Sequence, residues 1–373
     1  MTTPTSPLPF SDSPRENDYK FSHLTPQNII MLQFQDYVNV ASQAIADIKY
    51  PASPAALYEP IAYTMALGGK RLRPVLTLMA CDAFCGDHSR ALNQAVGIEL
   101  YHNFTLLHDD VMDKADVRRG KPTVHVRWND NVAILSGDAM LTMAGQHVAR
   151  TDAAHLATAM ELFNRTAMEV YDGQQYDMDF ECRNDVTEDE YIAMIRLKTS
   201  VLLGCACKMG AIMADASADD AERIYQYGVD LGVAFQLQDD WLDVYGDPAT
   251  FGKEIGGDIM NNKKTFMLIN AMNRATGADR DELMHWLAAE NPDRKEKVAA
   301  VTAIYSRLGI SELAIEAMNR YNDRALSVLN SINIPEEARQ AFRDFANMLM
   351  HRDRRPTLTP TYILKNLMPT AMR

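Results

Sequence analysis

The sequence predicts an all-α fold, and three observations carry that prediction. From about residue 26 onward, apolar residues recur at three- and four-residue spacing, the period of a helix with one buried face. Alternating β-branched runs, which mark half-buried strands, are scarce. Several periodic stretches exceed twenty residues, so their faces must pack along other helices. No linker-like break separates them, and one large helical bundle is the economical arrangement.

Residues 1–25, beginning MTTPTSPLPFSDSPREND, are rich in Pro, Ser, Thr and Asp and lack the basic start and apolar stretch of a secretory signal. They read as a disordered leader to a helical domain over 26–355. Helices are expected over 27–49, 55–68, 74–85, 89–113, 131–149, 152–180, 188–213, 219–245, 263–274, 279–290, 294–308, 311–331 and 335–351, where the apolar period holds. Two stretches interrupt it as functional loops, 114–122 and 246–262; the Gly, Asp and Asn content of the second resists helix and suits a mobile cover. From residue 356 the chain has three prolines and no helical period, and is read as a disordered tail.

Composition narrows the function. With 37 basic against 50 acidic residues the net charge is −13, which argues against nucleic-acid binding, since that needs a positive field over much of a face. An anionic ligand must then meet local basic groups or bound metal. The apolar stretches, such as 201–206, fall far short of the roughly 18 residues of a membrane span. Five cysteines, Cys81, Cys85, Cys182, Cys205 and Cys207, form no zinc-type pairs in a chain large enough to need no staples. Reduced thiols in a cytoplasmic protein are expected.

The stretch LLHDDVMD ends an apolar helix with Asp109, Asp110 and Asp113. Asp109 and Asp113 share one face, about a turn or roughly 6 Å apart. Like charges at that spacing repel, and burial raises the cost; a divalent cation reverses the sign. One such turn is ordinarily just solvated. FQLQDDWLDVYGD, however, repeats the i, i+1, i+4 spacing at Asp239, Asp240 and Asp243. Two such turns facing each other would offer single carboxylate oxygens and leave room for water and phosphate, a donor set that suits Mg²⁺.

Basic groups surround these clusters in sequence. GGKRLRP places Lys70, Arg71 and Arg73 between paired glycines and a helix-starting proline. Arg118 and Arg119 follow the first cluster, and Lys198, Lys253, Lys263 and Lys264 lie further on. Guanidinium forks match phosphate oxygens. In an acidic protein this pattern suggests two diphosphate sites, one held through metal and one held directly. His102 lies seven residues before Asp109, nearly on the same face, where either a structural role or a phosphate contact is open.

Taken together, the ordered set GGKRLRP, ELYHNFTLLHDDVMDKADVRRGKPTVH, GDAML, GQQYDM, RLKTS, FQLQDDWLD and GKEIGGDIMNNKKT resembles the trans-polyprenyl diphosphate synthase family over residues 45–352. Short-chain members of that family make farnesyl and geranylgeranyl diphosphate. The resemblance implies an isoprenoid synthase-like bundle around a central cavity, a cytoplasmic homodimer, and Mg²⁺-dependent head-to-tail condensation of isopentenyl diphosphate with an allylic diphosphate. It further implies that Asp109, Asp113 and Asp239 bind Mg²⁺, three ions with substrate present and Mn²⁺ as a substitute, with Asp110, Asp240 and Asp243 as nearby or water-mediated partners. Lys70, Arg73, His102 and Arg119 would hold isopentenyl diphosphate. Arg118, Lys198 and Lys253 would grip the allylic diphosphate, and Lys263 would belong to the cover. Thr199 and Gln236 would present oxygens to the allylic cation, with Gln174 and Asp177 supporting the site.

The same resemblance makes Phe104 the floor of the product tunnel. It lies five residues before Asp109, roughly 7.5 Å along the helix axis. Thr105 beside it is not aromatic and the first cluster has no two-residue insertion, which leaves C15 and C20 products both open. Two rivals remain at this level: a class I terpene cyclase, which would not need GGKRLRP for a second diphosphate, and a non-catalytic partner subunit, which would be expected to have lost one of the charged motifs.

Overall fold

The computed structural model describes residues 31–247 and 255–350. The leader, the tail and Lys253 lie outside them. Helices follow one another as α1 Phe34–Ala46, α2 Ala55–Ala66, α3 Leu72–Cys85, α4 Leu92–Met112, α5 Val124–Arg127, α6 Asp130–Val148, α7 Ala153–Glu181, α8 Glu188–Ile195, α9 Val201–Met213, α10 Ala218–Tyr245, α11 Gly257–Met260, α12 Phe266–Arg274, α13 Gly277–Ala288, α14 Arg294–Arg307, α15 Ile310–Asn330 and α16 Glu336–Met350. The helical period of the sequence is thus realised nearly throughout, because each long helix has neighbours on which to bury its apolar stripe. α3 packs on α9, α9 on α10, α10 on α15, and α4 on α6.

Helix starts carry local reasons. Asp152 accepts from the amides of Ala154 and His155 ahead of α7, and Ser217 accepts from Asp220 N ahead of α10. Thr187 and Glu190 form a reciprocal capping box on α8. Such bonds satisfy first-turn amides that have no intrahelical partner.

Two departures from the expected helices lie beside the site. The stretch 188–213 is broken by a π turn over Arg196–Ser200, since the 3.6-residue apolar period does not distinguish one inserted residue. The expected loop 114–122 is a small hairpin, β1 Val117–Arg118 pairing antiparallel with β2 Lys121–Pro122. Its two turn residues, Arg119 (φ 52) and Gly120 (φ 72), are both left-handed, as a two-residue hairpin turn requires. Strands this short leave no alternation to read.

The apolar interior forms two clusters, and α10 bridges them. Tyr227, Val229 and Leu231 belong to the larger, built mainly from α1 to α9. Val233, Leu237 and Val244 belong to the second, with α8, α12, α14 and α15. Gln236 and Asp239 therefore sit on α10 near the change of neighbours.

Candidate active site

A cavity of about 760 Å³ is lined by Lys70, Arg73, His102, Phe104, Asp109, Arg118, Arg119, Gln174, Lys198, Thr199, Gln236 and Asp239, together with Glu99, Val170, Tyr171, Leu202 and Asp247. Residues more than 160 positions apart in sequence are brought to one space. Asp113, Asp177 and Lys263 do not line it; the charge of Asp113 acts on Asp109, and Asp177 interacts with Lys198 and Lys263. Asp110, Asp240 and Asp243 are buried behind it.

The two acidic clusters are each divided. In the first, Asp109 faces the cavity, while Asp110 is bound by Arg118, whose Nε lies 2.8 and 2.9 Å from its two oxygens. Asp113 caps the exposed end of α4. In the second, Asp239 faces the cavity. Asp240 accepts from Tyr191 OH at one oxygen and from Gln236 Nε2 at the other, 3.2 Å away, and Asp243 accepts from the Asp258 amide at 3.0 Å. Equal spacing in sequence therefore does not give equal placement. One carboxylate of each triad lines the cavity while others meet donors of the protein. Arg118 is correspondingly shared between Asp110 and the cavity rather than given wholly to a ligand.

Burial is the main force on these carboxyls. It pushes Asp109 up to about 6, with Asp113 and Asp110 adding repulsion and Lys198 and Arg118 opposing it. Asp240 is pushed up to about 7, first by burial and then by Asp258. Burial alone would lower Lys263, but the carboxylates of Asp177, Asp258, Asp240 and Asp113 around it raise it above the ordinary lysine value. Lys263 is thus a fixed cation over the acidic end.

Lys198 and Thr199 occupy the π turn. That turn is gripped between α7 and α10: a Cβ on Gly173 would lie 2.2 Å from Lys198 N, and one on Gly232 would lie 2.7 Å from the Ser200 Cα. Only glycine permits such approach. Lys198 Nζ donates to Asp177 Oδ2 at 2.6 Å, which aims it along the cavity wall, and Thr199 Oγ1 donates to Gln236 Oε1 at 3.3 Å.

The opposite end is cationic. Arg71, in a left-handed conformation, is buried and structural: it donates to Glu99 Oε1 at 2.6 Å and to Met65 O at 2.8 Å. That pair anchors the basic junction and leaves Arg73 to face His102 Nε2 at 3.2 Å. The hairpin turn folds Arg119 back so that its guanidinium donates to Gly68 O. Burial lowers Arg73 to about 10, still cationic at neutral pH. His102 is driven well below the usual imidazole range by burial and then by Arg73, Arg119, Arg118 and Arg71. It is neutral, and since Arg73 donates to Nε2 its proton resides on Nδ1. Arg73 Nε is buried without a protein partner among the described residues.

Between the ends the wall is apolar. Phe104 is buried and stacks with Tyr101, His108 and Tyr171 at centroid distances of 5.6, 4.8 and 6.3 Å. Glu99, Tyr171 and Tyr191 were not legible as site residues, because nothing near them in sequence marks their long-range contacts.

The fold defines an isoprenoid synthase bundle, an all-α architecture. Residues 54–305 match the polyprenyl synthetase family. A short chain isoprenyl diphosphate synthase of Methanothermobacter thermautotrophicus is 35% identical over 329 residues, covering 87% of this chain and 99% of the relative. A geranylgeranyl diphosphate synthase of Saccharolobus solfataricus is 34% identical, over 87% of this chain and 98% of its own. A crystal structure of a geranylgeranyl pyrophosphate synthase superposes with a TM-score of 0.83 at 42% identity, covering 87% of this chain and 100% of that one. The chain belongs to the polyprenyl synthetase family and is a prenyltransferase.

Proposed function

We propose that the protein condenses isopentenyl diphosphate head-to-tail with an allylic diphosphate, yielding a short-chain all-trans prenyl diphosphate and releasing diphosphate. The observation that carries this is a single cavity with carboxylates at one end, guanidinium and lysine at the other, and aromatic and aliphatic wall between. On α4, Asp109 and His102 are seven residues apart, about 10 Å along the axis, which separates two anionic groups around one hydrocarbon. A cyclase taking one diphosphate has no use for the second cationic end.

The donor set fits Mg²⁺. Asp109 and Asp239 line the cavity and supply hard oxygens. Such a site suits an ion that keeps much of its shell for water and phosphate oxygens. When bound, Mg²⁺ supplies positive charge that stabilises diphosphate as it leaves carbon.

The rest is done by the chain. Lys198, Arg118 and Lys263 attract the allylic diphosphate, with Lys253 a further candidate, so that negative charge forming on C–O cleavage meets fixed cations. Lys70, Arg73, Arg119 and the Nδ1–H of neutral His102 orient isopentenyl diphosphate, with its double bond toward the allylic carbon. Thr199 and Gln236 place oxygen lone pairs beside the cation. The double bond attacks, and the released diphosphate takes the proton lost from the new chain. Phe104, Val170, Tyr171 and Leu202 accept the growing hydrocarbon and exclude water that would quench the cation.

The geranylgeranyl names of two relatives support C20 as the end product. Ile134 and Leu135 on α6 and Leu156 and Met168 on α7 are exposed apolar side chains that a homodimer would cover. No single helix among the described residues is long and apolar enough to cross a membrane, and a cytoplasmic location agrees with the free thiols. The test is turnover of radiolabelled isopentenyl diphosphate with dimethylallyl, geranyl or farnesyl diphosphate, followed by chromatography of the dephosphorylated lipid. Prenyl alcohols up to C20, lost on chelation of Mg²⁺, are expected; cyclised hydrocarbon or no condensation would refute the reading.

A further inference from the structure

Behind the cavity, a buried chain of polar side chains runs from α8 to the π turn. Tyr191 OH donates to Asp240 Oδ2, Gln236 Nε2 donates to Asp240 Oδ1, and Thr199 Oγ1 donates to Gln236 Oε1. Tyr191 is 2% exposed and does not line the cavity. Gln236 and Thr199 do. Tyr191 is itself held firmly: α8 is fixed by the Thr187–Glu190 capping box, by Arg183 on Glu190, and by Asn270 of α12 on Glu188.

The direction of these bonds has chemical content. An amide can present either its oxygen or its NH₂, and the two ends have opposite polarity. The Gln236 nitrogen meets the Asp240 oxygen that Tyr191 leaves open, and the amide oxygen is turned to Thr199. The hydroxyl hydrogen of Thr199 is then spent on that oxygen. The amide oxygen and the hydroxyl oxygen then keep lone pairs for a cation beside them. If the amide were reversed, its N–H groups would point at Thr199 and the space beside it, and a cation there would meet positive dipole instead of negative.

We propose that Tyr191 is a positioning residue for the condensation: through Asp240 it holds the Gln236 amide in the orientation that keeps its oxygen, with that of Thr199, as acceptors toward the allylic cation. Tyr191 fixes one carboxylate oxygen, so Asp240 cannot rotate its plane, and the second oxygen stays directed at Gln236. The effect belongs to the step in which cationic charge develops; the diphosphates of both substrates are held by other groups. This inference rests on the reading of the cavity as a prenyl-condensing site.

The experiment is steady-state kinetics of full-length Tyr191→Phe, Asp240→Asn and the double variant, each with its melting temperature and Mg²⁺ half-saturation. Tyr191→Phe is expected to lower kcat about tenfold, as displacement of an aligned group does, with KM for each substrate within about twofold of the parent. Asp240→Asn should lower kcat at least as far without moving the Mg²⁺ half-saturation. The double variant should match Asp240→Asn alone, because Tyr191 acts through that carboxylate. A folded Tyr191→Phe with parental kcat, a double variant whose loss is the product of the single losses, or a shift in both KM values with kcat unchanged would overturn the proposal. Should Tyr191→Phe not fold, Asp240→Asn decides: reduced kcat with unaltered KM and Mg²⁺ dependence upholds it, and parental kcat or a raised Mg²⁺ requirement overturns it. Asp109→Ala serves as the control. If that variant turns over normally the site reading itself fails; if it is inactive while Tyr191→Phe is unimpaired, only the present inference fails.

Discussion

The two ends of the cavity are opposite in charge but alike in predicament. At the acidic end, burial and neighbouring carboxylates lift Asp109 to about 6; at the basic end, burial lowers Arg73 to about 10, and burial with the surrounding guanidinium groups keeps His102 neutral. Each end concentrates like charge that a self-contained fold would avoid. Under the proposed function, the ligands would complete the counter-charge: cations and diphosphate at one end, diphosphate alone at the other. Charges tied up for structure look different. Arg71 meets Glu99 and a carbonyl, and Asp243 meets a backbone amide.

That contrast can be broken by substitution. The largest effect is expected at the acidic end, where Asp109→Ala and Asp239→Ala should each lower kcat/KM by about 10⁴-fold through lost metal clamping, measured with saturating Mg²⁺; near-parental turnover would remove these residues from the metal site. At the basic end, Arg73→Ala should raise KM for isopentenyl diphosphate by about 100-fold, the cost of a charge-assisted contact to phosphate, with KM for the allylic substrate little changed. Equal changes in both values would merge the two ends into one.

Phe104→Ala sharpens the account of the wall. It should shift product to longer chains, with turnover reduced by no more than about tenfold, and an unchanged product distribution would show that the floor lies elsewhere. Within the acidic end, Asp243→Ala should destabilise the fold by about 2 kcal/mol through its orphaned backbone donor, whereas exposed Asp113→Ala should stay within about 0.5 kcal/mol. Denaturant unfolding compares the two.

The smallest effect concerns pH. A histidine whose folded pKa is depressed takes up a proton more readily unfolded than folded, so its contribution to stability is present above the unfolded value and is lost as pH falls below about 6.5. His102, and His147 with its value lowered to about 4 by burial and then Arg150, are of this kind. The melting temperature of the metal-free protein should fall less between pH 7.5 and 5 in a His102→Gln variant than in the parent; parallel curves would exclude His102 as a contributor.

Legibility in the sequence followed the range of the interactions. The helical period exposed α3, α6, α7 and α10 almost to their ends, since it records a local stripe. The acidic spacing at 109–113 and 239–243 and the basic junction at 68–73 were visible because one helix or one turn holds each set. What could not be seen was long-range. Tyr191 meets Asp240 across 49 positions, Arg71 meets Glu99 across 28, and Lys198 meets Asp177 across 21. The π turn at Arg196–Ser200 and the hairpin at 117–122 escaped because neither is long enough to change a period. The family resemblance nevertheless drew His102, Phe104, Thr199 and Gln236 to one place, and the structure lines one cavity with all four.

The most direct test is the structure of the protein with Mg²⁺, isopentenyl diphosphate and a non-cleavable allylic diphosphate analogue. Metal density is expected between the analogue's diphosphate and Asp109 and Asp239, with a metal-free diphosphate on Arg73 and Arg119. Metal bound away from both aspartates, or both diphosphates crowded at one end, would contradict that arrangement.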